Sequence, residues 1–192
     1  MKTIKQQTSI KNSGNFKFRS PVFIAVLLIS FMMLPSVASA GQNWSVTIVN
    51  NNGQEAQYLS YSNKNCWYPG DFANGFSIAA NTTVVKATEE KWAVFEDCGG
   101  ASCIITLSFL VFGTDGLAAV CNVTLVDIDE RSAPGTNPII CGGNSAHGNP
   151  TAAGWAWAGG KAPKGVNPPV ITCNKPNGQE TTNITITLPT FS

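Results

Sequence analysis

Histidine, methionine and charge are scarce in this 192-residue chain: there is one histidine, three methionines, and only 12% of residues are Asp, Glu, Lys or Arg. A single histidine, His147, limits metal chemistry. Zinc sites draw on histidines and on cysteines in C-x2-4-C pairs, and here the one close pair, Cys98 and Cys103, stands alone. No metal and no cofactor are expected. Basic residues are also unevenly placed: Lys2, Lys5, Lys11, Lys17 and Arg19, five of the twelve, lie in the first 40 positions, whereas all eleven acidic residues come later. The remainder therefore carries 7 − 11 = −4. Binding to a phosphate backbone needs a stripe of Lys and Arg, so no nucleic-acid partner is expected. Sustained apolar periodicity of 3.6 residues between helix caps is missing too, which argues against a helical fold. No internal repeat is visible.

Catalytic motifs are incomplete. Gly143-Asn-Ser-Ala-His147 follows the nucleophile elbow G-x-S-x-G until its last position, where His147 replaces glycine. Ser145 and His147 remain the pair on which a small serine hydrolase would rest. Gly154 to Lys161 is one residue too long for a phosphate loop and lacks the following Ser or Thr. Asp127, Asp129 and Glu130 offer oxygen ligands of the kind calcium takes, although a charged strand end meeting water is their simpler role. No catalytic residue is assigned, and a non-enzymatic protein is expected.

What is present begins with an export signal. Five basic residues precede an apolar run from Val22 to Leu34, then Pro35 and the small-residue site Ala38-Ser39-Ala40. This order is that of a secretory signal peptide cleaved after residue 40. The apolar run is short of the about 20 residues a membrane span needs. Residues 41–192 then form one domain, secreted to the exterior or to a periplasm. Six cysteines, Cys66, Cys98, Cys103, Cys121, Cys141 and Cys173, all follow the signal, and an even number in an exported chain points to three disulfides.

The stretch Cys103 to Asp129 reads as a hairpin of two long strands. Ile105, Leu107, Phe109 and Val111 are apolar at odd positions, as are Leu117, Ala119, Val123 and Leu125, while Thr106, Ser108, Asn122 and Thr124 occupy even ones. Residues two apart share a face, and so do directly opposed residues on paired strands. Odd must therefore pair with odd. A three-residue loop, Thr114-Asp115-Gly116, satisfies this by opposing Val111 to Ala119, Phe109 to Cys121 and Leu107 to Val123, with Gly116 taking positive φ. Cys103 then lies opposite Asp127, roughly 20 Å along the strands from Cys121. A disulfide spans only about 4.4–6.8 Å between Cα atoms, so these two cysteines are not expected to join.

Further strands are expected over Trp44–Asn50, Gln57–Ser62, Phe76–Lys86 with a turn at Asn81, Trp92–Glu96, Val170–Cys173 and Asn183–Leu188. Asn65–Asp71 reads as a loop stiffened by Pro69, and Lys175-Pro-Asn-Gly178 as a turn. The fold class is all-β: an antiparallel sandwich of roughly 7–9 short strands, stapled by disulfides. One segment breaks the pattern. Residues 130–169, rich in Gly, Pro and Ala, read as a long loop, and loops beyond about 15 residues are commonly functional.

Function is sought in that loop. Trp155 and Trp157 share a face if the segment is extended, and flat aromatics stack on sugars or enter membrane interfaces. Packing of both rings over the core is the simpler alternative. Lys161 and Lys164 follow closely. Trp155, Trp157, His147 and Lys161 are thus the candidate ligand-binding residues of a secreted recognition module whose partner is an extracellular ligand, carbohydrate or a membrane surface. A membrane-active toxin-like protein uses the same residues. A structural role through strand addition by the Thr-rich last strand is a further alternative. Asn43, Asn81, Asn122 and Asn183 each begin an N-x-S/T sequon.

Overall fold

A computed structural model describes residues 43–91, 103–127, 136–144, 150–175 and 181–191, which all fall in one compact unit, Ser39–Ser192. In chain order the strands are β1 (Asn43–Asn50), β2 (Ala56–Asn65), β3 (Trp67–Tyr68), β4 (Phe76–Ile78), β5 (Thr82–Glu90), β6 (Ile104–Phe112), β7 (Ala118–Asp127), β8 (Thr136–Asn144), β9 (Pro150–Trp157), β10 (Val166–Asn167), β11 (Val170–Asn174), β12 (Thr181–Thr187) and β13 (Thr190–Phe191). One turn of 3-10 helix, Gly70–Phe72, follows Pro69. The expected signal, the strand over 92–96, Cys98, and the pair Ser145 and His147 lie outside the described residues, as do Asp129, Glu130 and the turn 176–178.

The β6–β7 hairpin has the register that face-matching requires. Val111 opposes Ala119, Phe109 opposes Cys121 and Leu107 opposes Val123. Gly113 N–H donates to the Leu117 carbonyl at 2.8 Å, leaving Thr114, Asp115 and Gly116 as the loop, with Gly116 at φ +79°. The odd-numbered residues from Ile105 to Val111 and from Ala119 to Leu125 are all buried. Leu117 departs from the expected set: it sits at the turn and is 51% exposed, because the neighbouring strands do not reach that far. On the opposite face Thr106 and Thr124 share a hydrogen bond of 3.0 Å, and Ser108 Oγ donates to Asn122 Oδ1 at 2.9 Å.

Two sheets enclose the core. The larger has the order β4-β2-β6-β7-β9-β8 and the smaller β11-β12-β1-β5-β3, with β10 and β13 forming a separate ribbon. Trp44, Val46 and Ile48 of β1 and Ile184 and Ile186 of β12 are buried with the hairpin's inward residues. Antiparallel pairing dominates, but β1 and β12 run parallel, Val46 facing Ile184 and Ile48 facing Ile186. The smaller sheet is therefore mixed. Because β12 has β11 on one side and β1 on the other, its backbone groups are already paired. That removes the Thr-rich last strand as an edge for strand addition, since only an unpaired edge can accept a further strand.

The segment expected as a long loop contributes two full strands. β9 pairs with β7, Trp155 facing Val123, and β8 pairs with β9 at the sheet's edge. Its strand character was hidden for two reasons. Thr151, Ala152 and Ala153 are all completely buried, and a strand covered on both faces shows no polar–apolar alternation. Alanine, in addition, has little β-propensity. In β8 the pairing shifts at three places, with Gly142 at φ +82°, which breaks the period of two. Similarly, the expected loop 65–71 carries the short strand β3, paired with the end of β5.

Disulfide chemistry also differs from the reading of six bonded cysteines. Cys141 on β8 is joined to Cys173 on β11, Cα to Cα 4.8 Å. The bond links the outermost strand of one sheet to the outermost strand of the other. Cys66, where the chain crosses between sheets, is also disulfide-bonded. Cys103 and Cys121 are buried thiols. Both point inward, and Cys121 opposes Phe109 while Cys103 lies beyond Ile104 at the other end of β6, so neither can reach the other; they pack as small apolar residues. Burial pushes the Cys121 thiol up to about 12.

Two outcomes follow from the cysteines. Replacing Cys141 and Cys173 together by Ser lowers unfolding stability by about 2–4 kcal/mol in urea, and a loss near zero would mean the sheets hold their edge without the bond. Thiol titration with a water-soluble disulfide reagent leaves Cys103 and Cys121 unmodified in the native protein and labels both in denaturant. Rapid native labelling would contradict their burial.

Candidate functional site

β9 is extended, so Trp155 and Trp157 do share a face, and that face is the inner one: their cross-strand partners are the core residues Val123 and Cys121. The two rings meet edge to face with centroids 5.5 Å apart. Both are half-buried and pack against the core. Lys161 and Lys164 are exposed in the turn that follows. The structure therefore does not gather Trp155, Trp157 and Lys161 on one open surface. His147 lies outside the described residues.

One end of the interior is polar. Trp67 Nε1 donates to Thr88 Oγ1 at 2.7 Å, and Thr88 Oγ1 donates to the Tyr68 carbonyl at 2.7 Å. Glu90 is fully buried, and Lys175, 7% exposed, feels its charge. Burial pushes the Lys175 ammonium below its ordinary 10.5, and Glu90 partly opposes that shift. Among the described residues, Trp44 Nε1 and Thr182 Oγ1, on adjacent strands, have no hydrogen-bond partner. Tyr58 is likewise raised above its usual range by burial, its hydroxyl donating to the Phe72 carbonyl at 3.0 Å. The bonds of Trp67 and Thr88 tie β3 to β5. Among the described residues no group of three or more His, Cys, Asp or Glu is placed to hold a metal, and no helix is long and apolar enough to cross a membrane.

A surface the sequence did not single out lies on the outside of the smaller sheet. Its registers align three rows across four strands. Asn174, Asn183, Ser45 and Ala87 form one row; Thr172, Thr185, Thr47 and Val85 the next; Val170, Thr187, Val49 and Thr83 the third. None of these side chains is charged, and Val85 and Val170 are 62% and 59% exposed. At the chain's own 12% of charged residues, about one or two charges would fall among these positions. Neighbouring strands lie about 4.8 Å apart and successive outward residues about 6.7 Å apart. Hydroxyl and methyl groups thus repeat in two dimensions. Charges stand at the margin of this surface: Asp71 Oδ2 accepts the Ala87 N–H at 2.8 Å, and Glu89 lies beside Asn43 in the following row.

Half of this signal was present in the sequence as the Ile-Thr alternation of β12 and the Ser45 and Thr47 alternation of β1. What could not be read was that the two strands, more than 130 residues apart in the chain, lie side by side and in parallel. Two sequons fall on the same face, with Asn183 exposed within the rows and Asn43 just beyond them. Asn81 is exposed in a turn at φ +53°. Asn122 is instead held by Ser108 on the larger sheet.

No protein-family model matches the chain, and comparison with curated proteins and with solved structures returns no significant similarity.

The inward tryptophans and Lys175 each generate a measurement. Trp155→Ala lowers stability by about 2 kcal/mol, half of what a fully buried aromatic loses, read from urea unfolding; a change within 0.5 kcal/mol, typical of surface sites, would return the ring to the role of a free contact residue. For Lys175 the folded chain holds its proton less tightly than the unfolded one. The unfolded state thus binds more protons below 10.5, and stability rises with pH toward that value. Compared with Lys175→Met, the wild-type protein gains stability between neutral pH and 10.5, and a pH-independent difference would contradict the shift.

Proposed function

We propose that this protein is a secreted, non-enzymatic recognition module that binds neutral extracellular carbohydrate through the outer face of the smaller sheet. The observation that carries the reading is the uncharged, regularly spaced array of Thr, Asn, Ser and Val over four strands. Threonine suits such a role because its methyl packs against C–H groups while its hydroxyl both donates and accepts. A charged partner would find little to pair with there, since the carboxylate at the margin of the face, Asp71, is taken up by the Ala87 N–H. A neutral polymer lying flat exchanges water contacts for many weak hydrogen bonds and methyl contacts, with no charge to desolvate. The N-terminal export signal and the Cys141–Cys173 bond agree with an oxidising, extracellular setting.

Trp155 and Trp157 take a supporting part in this reading. Their rings pack on the core beneath β9, and the contact surface moves to the opposite sheet.

Co-sedimentation with microcrystalline cellulose, chitin and starch granules tests the proposal. The wild-type protein is retained by at least one of them at physiological salt, and retention persists at high salt because no ion pairs are involved. Thr47→Lys combined with Thr185→Lys places two charges in the middle row and reduces retention at least tenfold, while the thermal midpoint changes little because both side chains face outward. Failure of the wild-type protein to bind any of the three polymers, or equal binding by the double variant, would overturn it.

A further inference from the structure

We infer that the cleft between the β6–β7 turn and the β10–β13 ribbon is a second binding site, one that takes a single neutral sugar ring, so that the protein holds a glycan end in addition to its flank. This rests on the carbohydrate reading above. The cleft has a volume of about 470 Å³ and is lined by Thr114, Asp115, Leu117, Lys164, Gly165 and Phe191. Small-molecule sites run from about 300 to 1,000 Å³. A sugar ring with its first water shell fits comfortably.

The site is built by three segments far apart in the chain. β10 and β13 pair only with each other, Val166 with Phe191 and Asn167 with Thr190, and Asn167 Nδ2 donates to Thr190 Oγ1 at 3.2 Å. This ribbon brings the Phe191 ring down onto the backbone of Gly113. A Cβ at position 113 would lie 2.7 Å from Phe191 Cδ1 and 2.8 Å from Asp115 Oδ1. Glycine is needed there for the close approach of ring and carboxylate. Asp115 Oδ1 accepts the Leu117 N–H at 3.1 Å, which fixes the side chain at the turn.

The polar groups of the lining remain available. Among the described residues, Asp115 Oδ2 and the Lys164 ammonium have no hydrogen-bond or ion-pair partner, and they do not pair with each other. A singly charged ligand gains from one of these two groups what it loses to the other, so neither an anion nor a cation is favoured by charge alone. A polyhydroxylated ring satisfies both, because each hydroxyl can donate to the carboxylate and accept from the ammonium. Its C–H face then packs on Phe191 and on the exposed side of Leu117.

Calorimetric titration with soluble cellotriose, N-acetylated chitotriose and maltotriose distinguishes this site from the flat face. One of the three binds the wild-type protein. Asp115→Asn, which keeps the acceptor for the Leu117 N–H, and Lys164→Met each weaken that binding at least tenfold. Undiminished trisaccharide binding by both Asp115→Asn and Lys164→Met overturns the cleft and leaves the flat face standing. Retention on an insoluble polymer without binding of any trisaccharide has the same meaning, and loss of both kinds of binding removes the carbohydrate reading as well. Binding of free L-leucine, whose opposite charges match Lys164 and Asp115, in place of every trisaccharide also overturns the assignment.

Discussion

The period of two in a β-strand governs this molecule. In the β6–β7 hairpin it turns Ile105, Leu107, Phe109 and Val111 of one strand, and Ala119, Cys121, Val123 and Leu125 of the other, toward the same interior. Each large apolar side chain buried in this way contributes about 1.5–3 kcal/mol. A slip of one residue would send the whole set to solvent, so the register is strongly specified. The other sheet answers the same constraint with Trp44, Val46, Ile48, Ile184 and Ile186. Inward apolar sets leave outward polar ones, and on β1 and β12 these are the Ser, Thr and Asn that make up the uncharged face.

Closing a sandwich leaves open margins, and here each is handled differently. At one margin the Cys141–Cys173 bond joins the two outermost strands. Toward the other, a buried polar set comprising Trp67, Thr88 and Glu90 holds β3 and β5 to the core. Buried polar groups of this kind are costly unless matched, and they specify a single arrangement more than they stabilise it. The β6–β7 turn is covered by Phe191, which the β10–β13 ribbon carries across Gly113. That last closure is loose enough to leave a cleft, and its lining mixes an aromatic ring with unlike charges.

Local chemistry made a good part of this legible in advance. The hairpin register, the three-residue loop, positive φ at Gly116 and the separation of Cys103 from Cys121 all came from face-matching and turn geometry. The turn at Asn81 and the strands flanking it were equally visible. β8 and β9 were not. Their residues are small, buried on both faces or displaced by irregular pairing, so neither alternation nor propensity marks them. The same blindness put Trp155 and Trp157 in a loop, although the condition that they share a face held once β9 proved extended.

The sequence by itself determined an all-β chain, the identity of most inward residues and the pairing of strands close together in the chain, because side-chain alternation and turn chemistry act over a few residues. Only the tertiary structure decided which distant strands lie side by side. The parallel contact of β1 with β12, the staple between β8 and β11 and the meeting of Phe191 with Gly113 depend on how two sheets bury their apolar faces against each other. No local pattern encodes that choice. Both candidate surfaces, the uncharged rows and the cleft, are products of it.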